Sequence, residues 1–297
     1  MAQLQGRRTH GQTCCFLGEF VVARALLEQC AGLSDPAHRT VEGLSFDYYT
    51  LTLSWLAVTL TYLGYIDQAR SRINTALSEA RRLKHTHTLA HILDFANWID
   101  WVTCSPAVHI EEALALPTEH GFSLFRGWAI ASRGWTLTTL GQAREGIASL
   151  THGLVTIRAT GAVANLPLLL IGLAEAYAMV GQPVEGLKYL AEAAEIIETS
   201  EERLDEAELH RVRGDLLNAT GDRSAAEQAY RQTLAVSHRQ SAKLWELRAS
   251  ISLARLLRDQ GRLSEARDLL APVYGWFTEG FGTKDLREAR ALLDELS

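Results

Sequence analysis

The chain has 297 residues, 47% of them hydrophobic and 22% charged, which excludes a disordered polymer and leaves room for two compact domains or one extended repeat array. A formal net charge of −6 argues against nucleic acid as a partner, because phosphate binding needs clustered lysine and arginine. The apolar stretch around Leu168–Leu170 falls short of the roughly 20 residues that span a bilayer, and residues 1–12 lack the apolar core of a signal peptide. A cytoplasmic protein with no membrane partner is therefore expected.

Residues 1–12 show no periodicity and are expected to form a disordered tail, with one continuous domain over 13–297. A first helix–turn–helix copy follows, with Gly18 at its turn and Phe20, Ala23, Leu27 and Cys30 on its second helix. Residues 31–47 read as a connecting loop, with Asp35-Pro36 as a turn signal. The second copy runs from a helix over 50–63 through Gly64 to Ile66, Ala69, Ile73 and Ala76. The third has an amphipathic stretch over 88–103 but no turn glycine, and Ser105-Pro106 is expected to start the following helix.

Four regular copies complete the pattern, with turn glycines Gly141, Gly181, Gly221 and Gly261 at intervals of 40 residues. Five positions after each stand Gly146, Gly186, Ala226 and Ala266; seven before stand Gly134, Ala174, Gly214 and Ala254. A restriction to glycine or alanine at eight sites means that two helices must approach closely there. Residues 275–285 read as a turn, and Leu286–Leu296 as a last helix with a polar outer side, which is how a repeat array stops stacking. The expected fold is an all-α, right-handed α-solenoid of about seven helix pairs with a C-terminal capping helix.

A small residue, a turn glycine, then alanine, a bulky apolar residue and alanine resembles the tetratricopeptide repeat, with a period longer than the usual 34. More specifically, Gly18–Phe20, Asp35–Arg39, Leu63–Ala69, Thr118–Phe122, Leu173–Leu187 and Glu206–Leu217 resemble the C-terminal, MalT-like repeat region of bacterial class III adenylate or guanylate cyclase–ATPase multidomain proteins. The resemblance implies a signalling or regulatory scaffold. No G-x-x-x-x-G-K-[ST] phosphate loop occurs, and no strand pattern could carry a cyclase's metal-binding aspartates, so no enzyme activity and no cofactor are expected.

In such a superhelix the first helix of each pair lines the concave surface. Its outward positions would be Asn97, Asp100, Trp101, Trp128, Trp135, Glu175, Glu208, Arg211, Asp215, Asn218, Arg248, Arg255 and Arg258. The expected partner in this groove is a protein or peptide, with a small metabolite as the alternative; an open charged face would favour the first and a closed tryptophan pocket the second. Tryptophans would form the apolar anchor, and Arg255 with Arg258 could grip one carboxylate between them. His85, His87, His91 and Asp94 are read as capping or surface residues rather than a metal site. The four cysteines have no CxxC spacing and are expected to be buried small hydrophobes.

Overall fold

The computed structural model describes residues 2–33 and 46–297, and these contain fifteen helices and no strand. Fourteen form seven consecutive antiparallel pairs: α1 (Ala2–Phe16) with α2 (Phe20–Leu33), α3 (Tyr48–Tyr62) with α4 (Ile66–Leu83), α5 (Thr86–Val102) with α6 (Ile110–His120), and α7 (Ser123–Thr139) with α8 (Ala143–Arg158). α9 (Leu166–Met179) pairs with α10 (Pro183–Ser200), α11 (Glu206–Ala219) with α12 (Arg223–Gln240), and α13 (Lys243–Asp259) with α14 (Leu263–Trp276). α15 (Lys284–Glu295) covers the exposed side of α13 and α14. The Asp35-Pro36 turn and the Asp35–Arg39 motif lie outside the described residues.

The same local device ends the first helix of every pair. In the second copy Gly64 takes a φ of 89°, its N–H returns to Thr61, and the next N–H reaches back to the carbonyl of Leu60. Equivalent bonds close the turns at Gly18, Gly141, Gly181, Gly221 and Gly261, satisfying carbonyls that the helix end leaves unpaired. The third copy uses Cys104 instead. Its φ is 48°, and the Ser105 N–H donates to the Asp100 carbonyl at 2.8 Å. The turn is therefore Cys104, one residue before the expected Ser105-Pro106, and α6 begins only at Ile110.

The small residues sit at the helix crossings. A Cβ on Gly186 would stand 2.8 Å from the carbonyl of Ala174 and 2.5 Å from Leu216, and one on Gly214 would stand 2.5 Å from the Tyr230 ring. Ala226 and Ala266 are fully buried.

Two expectations are corrected. Residues 2–12 belong to a helix rather than a disordered tail, because α1 spans Ala2–Phe16. Its polar sequence still has one packing side: Cys14 and Cys15 are buried against the core, and Gly11 lets Leu27 approach to where a Cβ would be 2.9 Å from the leucine Cγ. Arg8 lies over the Tyr48 ring at 5.3 Å.

The array is also closed rather than simply extended, since α13 packs on α3. Tyr62 at the end of α3 meets the Trp245 ring at 5.6 Å, and its O–H donates to Asp205 at 2.9 Å. The Arg203 N–H donates to the Phe16 carbonyl at 2.7 Å. Beyond α14, Glu279 caps the N-terminus of α4, accepting from the N–H groups of Asp67 at 2.9 Å and Gln68 at 3.1 Å. A carboxylate there satisfies unpaired donors and meets the positive end of the helix dipole. The seventh pair thus seats on the second.

Candidate concave binding site

The odd-numbered helices form the inner wall, and closure leaves a cavity of about 330 Å³ between α5, α7, α9, α11, α13 and α15. Six of the groove residues expected from sequence line it: Trp135, Glu175, Arg211, Asp215, Arg248 and Arg255. Cys104, Thr139, Ser252, Lys284, Asp285 and Glu288 complete its polar lining.

Two arginines organise the wall. Arg211 grips Glu208 with two parallel bonds of 2.7 and 2.8 Å, reaches Glu175 at 2.7 Å, and also pairs with Asp215. Arg248 donates to both oxygens of Asp285 at 3.1 Å, to Glu208 at 3.2 Å and to the carbonyl of Val102 at 2.6 Å. The planar guanidinium fork makes these multiple contacts possible. Burial pushes Glu175 up to about 7 despite the Arg211 charge. Burial also raises Glu208, but Arg211 and Arg248 outweigh it and hold that carboxyl below its usual range. Arg248 thereby ties α13 to α11, α15 and the end of α5 across the superhelix axis.

Several expected site residues lie elsewhere. The charged face is not open: Glu208 and Arg211 are at most 9% exposed, because closure brings opposite charges together. Arg255 and Arg258 do not share one carboxylate; Arg255 pairs with Glu288 at 2.8 Å, and Arg258 with Glu295 on α15 and with Asp259. Asn218 is exposed outside the cavity.

In the third copy the expected register is shifted. Counting seven back from Cys104 puts Asn97 at the close-packing site where other copies hold glycine or alanine. Asn97 is 1% exposed with neither carboxamide atom partnered. Asp100 is half-buried, with Arg70 of α4 as its nearest charge, and burial pushes it up to about 6. The positions equivalent to Arg211 and Asp215 are instead Asp94 and Trp98, which were missed. The signal was present: Cys104 stands 40 residues after Gly64, the period of the regular copies.

The tryptophans are packed, not open anchors. Trp101 and Trp135 stack at 5.3 Å with their planes 8° apart, and Trp101 fills the space beside Gly172. Trp101 and Trp128, with Asp94, Trp98, Ser132, Asn165 and Leu168, surround a second, narrow cavity of about 20 Å³. The histidines behave as structural groups. The His85 Nδ1 accepts the Thr88 N–H at 3.2 Å and caps α5, His87 packs edge-on against Phe122, and burial lowers His91 to about 3. No group of metal-ligating side chains occurs among the described residues. The four cysteines form no disulfide; Cys14, Cys15 and Cys30 are buried and Cys104 is partly so.

Residues 165–237 match the tetratricopeptide repeat family, and no curated protein matches the chain by sequence. Among solved structures, the fold is similar to the apo form of RapI, with a TM-score of 0.57, 13% identity and 99% of each chain covered. It is similar to a Rap protein complexed with Competence and Sporulation Factor, at a TM-score of 0.56 and 12% identity over 100% of this chain and 98% of that one. A tetratricopeptide repeat protein from Parabacteroides merdae is also similar, at a TM-score of 0.52 and 13% identity over 100% and 99%. Residues 165–237 thus carry the tetratricopeptide repeat, and the described chain has the fold of a tetratricopeptide-like helical repeat array.

Proposed function

We propose that the chain is a non-catalytic scaffold whose 330 Å³ cavity receives a short segment of a protein partner. The observation that carries this reading is the cavity itself. It lies on the concave wall where six first-helix residues converge, and its size is in the range of specific ligand sites. Its rim presents charges of both signs, with Arg255 and Lys284 beside Glu288 and Asp215, so it suits a polar segment better than an apolar one. A Rap protein of similar fold, solved with Competence and Sporulation Factor, supports a bound factor as a use of this architecture. The motif resemblance supports a regulatory role of the kind played by the C-terminal repeat module of cyclase- or LuxR-linked ATPases.

The test replaces Ser252, which is half-buried on the cavity wall, by tryptophan. Native chain and Ser252→Trp are each used to capture partners from lysate, with bound small molecules retained and identified. A partner recovered by the native chain and lost by the folded variant is expected; equal recovery would place binding outside the cavity.

A further inference from the structure

The narrow cavity differs in kind from the larger one. Asp94 on α5, Ser132 on α7 and Asn165 just before α9 converge on a space for one small group, walled by Trp98, Trp101, Trp128 and Leu168. The three indole-bearing residues are all at least nine-tenths buried. Asp94 has neither a hydrogen bond nor an ion pair among the described residues, and burial alone pushes its carboxyl up to about 7. Asn165 spends its backbone N–H on Glu202, at 3.0 Å to one oxygen, while its own Oδ1 is enclosed without a partner. His91, one turn before Asp94, supplies no counter-charge, because burial lowers it to about 3 and keeps it neutral.

These groups state what a guest must be. The carboxylate and the carboxamide oxygen are acceptors, and the hydroxyl can accept as well. Above about pH 7 Asp94 is a half-buried carboxylate with no cation beside it, which is costly, and electron-rich indole faces attract positive charge. The guest should therefore carry several donors, no acceptor and one positive charge in the volume of about one water molecule. A divalent ion fits poorly, since no metal-ligating group of three His, Cys, Asp or Glu side chains exists among the described residues. Water offers two donors where three acceptors converge, and it leaves the charge unmatched.

We propose that this cavity is a binding site for a primary ammonium group, held by Asp94, Ser132 and Asn165 under the ledge of Trp98, Trp101 and Trp128. The ammonium nitrogen donates one hydrogen to the Asp94 carboxylate, one to the Asn165 Oδ1 and one to the Ser132 hydroxyl oxygen, with its carbon pointing out through the mouth. The group belongs either to a free small amine or to a lysine side chain of a partner. The site is distinct in its lining residues from the larger cavity, so it stands whether or not that cavity receives a partner.

The experiment titrates the purified chain with methylammonium chloride, following tryptophan emission and Tm, with NaCl, KCl and tetramethylammonium chloride at matched ionic strength. A saturable response to methylammonium is expected, with at least tenfold weaker responses to the other three salts. Asp94→Asn, which keeps the shape, should weaken the methylammonium affinity at least tenfold with helicity unchanged. Ser132→Ala provides a second, milder variant and should weaken it severalfold. A further arm uses the peptide acetyl-Gly-Lys-Gly-amide: saturation by it as well assigns the site to a chain-borne lysine, and saturation by methylammonium alone assigns it to a free amine. No saturable response to methylammonium, an equal response to KCl, or an unchanged response in both variants would overturn the proposal.

Discussion

The Tyr62 hydroxyl donates to an Asp205 carboxylate oxygen at 2.9 Å across 143 residues of sequence, and both residues are at most 1% exposed. This bond sits where the second repeat meets the start of the sixth, so it reports directly on closure of the superhelix. Its other carboxylate oxygen is enclosed with no partner. Tyr62→Phe should therefore leave the whole carboxyl unsatisfied at nearly constant volume, at a cost of about 1–3 kcal/mol. Denaturant unfolding measures the cost, and small-angle scattering should show a larger radius if the seam loosens. A variant as stable and as compact as the native chain would remove this bond from any account of closure.

Asp205 also sets an expectation for pH. Burial, reinforced by Glu202 and Glu208 and opposed by the Tyr62 bond, pushes its carboxyl up to about 8, while an unfolded aspartate titrates near 4. Between those values the folded chain keeps a proton that the unfolded chain has lost, so stability falls as pH rises from about 4 to about 8. Asp94, Glu175 and Glu202, each pushed up to about 7, add to the same slope. Asp205→Asn still accepts from Tyr62 but cannot ionise. The drop in Tm between pH 6 and pH 8 should shrink in that variant, and an undiminished drop would mean that Asp205 titrates normally.

The crossing of α7 and α8 offers a packing test. A Cβ on Gly134 would stand 2.7 Å from the Leu150 backbone nitrogen and 2.9 Å from the Gly146 carbonyl oxygen. A Cβ on Gly146 would stand 2.8 Å from the carbonyl oxygen of Gly134. Backbone on both sides cannot yield as a flexible side chain would. Gly134→Ala and Gly146→Ala should each destabilise by about 1–3 kcal/mol. Exposed Gly6, which has nothing within 4 Å of an added Cβ, should accept alanine with no loss. Equal midpoints for all three variants would refute the close crossing.

These crossings explain what was legible in the sequence. Gly134, Gly146, Gly186 and Gly214 are dictated by neighbours on the same or the adjoining repeat, less than one 40-residue period away, so their reasons recur along the chain and can be read. Cys104 performs a glycine's turn without being glycine, which hid the third turn and moved its groove positions from Asp94 and Trp98 to Asn97 and Asp100. Closure left no periodic trace at all. Glu279 on the N-terminus of α4 and Arg248 on the Val102 carbonyl join segments more than a hundred residues apart through single side chains, and nothing in the local pattern distinguishes them from surface charges. The helical wall was therefore readable, while the burial of its charges was not.

That burial separates two arginines that look alike in sequence. Arg211 is 9% exposed and holds Glu175, Glu208 and Asp215 together, whereas Arg255 is exposed and among the described residues pairs with Glu288. Arg211→Met keeps much of the length of the side chain but takes the shared cation from three carboxylates; Asp215 keeps the Tyr230 hydroxyl and Glu208 keeps Arg248, so Glu175 is the one left without its ion pair. Breaking a buried pair by removing one member typically costs about 3–5 kcal/mol, because the remaining charge has no water to return to. Arg248 still reaches Glu208 at 3.2 Å and should keep the loss toward the lower end. Arg255→Met removes a solvated pair and should change stability by less than about 1 kcal/mol, shrinking further in salt. Urea unfolding of both variants at low and high ionic strength decides the point. A large loss for Arg211→Met with a small one for Arg255→Met means that the inner charges hold the closed superhelix. Equal, salt-sensitive losses would mean instead that the concave wall is solvated and the closure rests on its other contacts, among them those of Tyr62, Arg203 and Glu279.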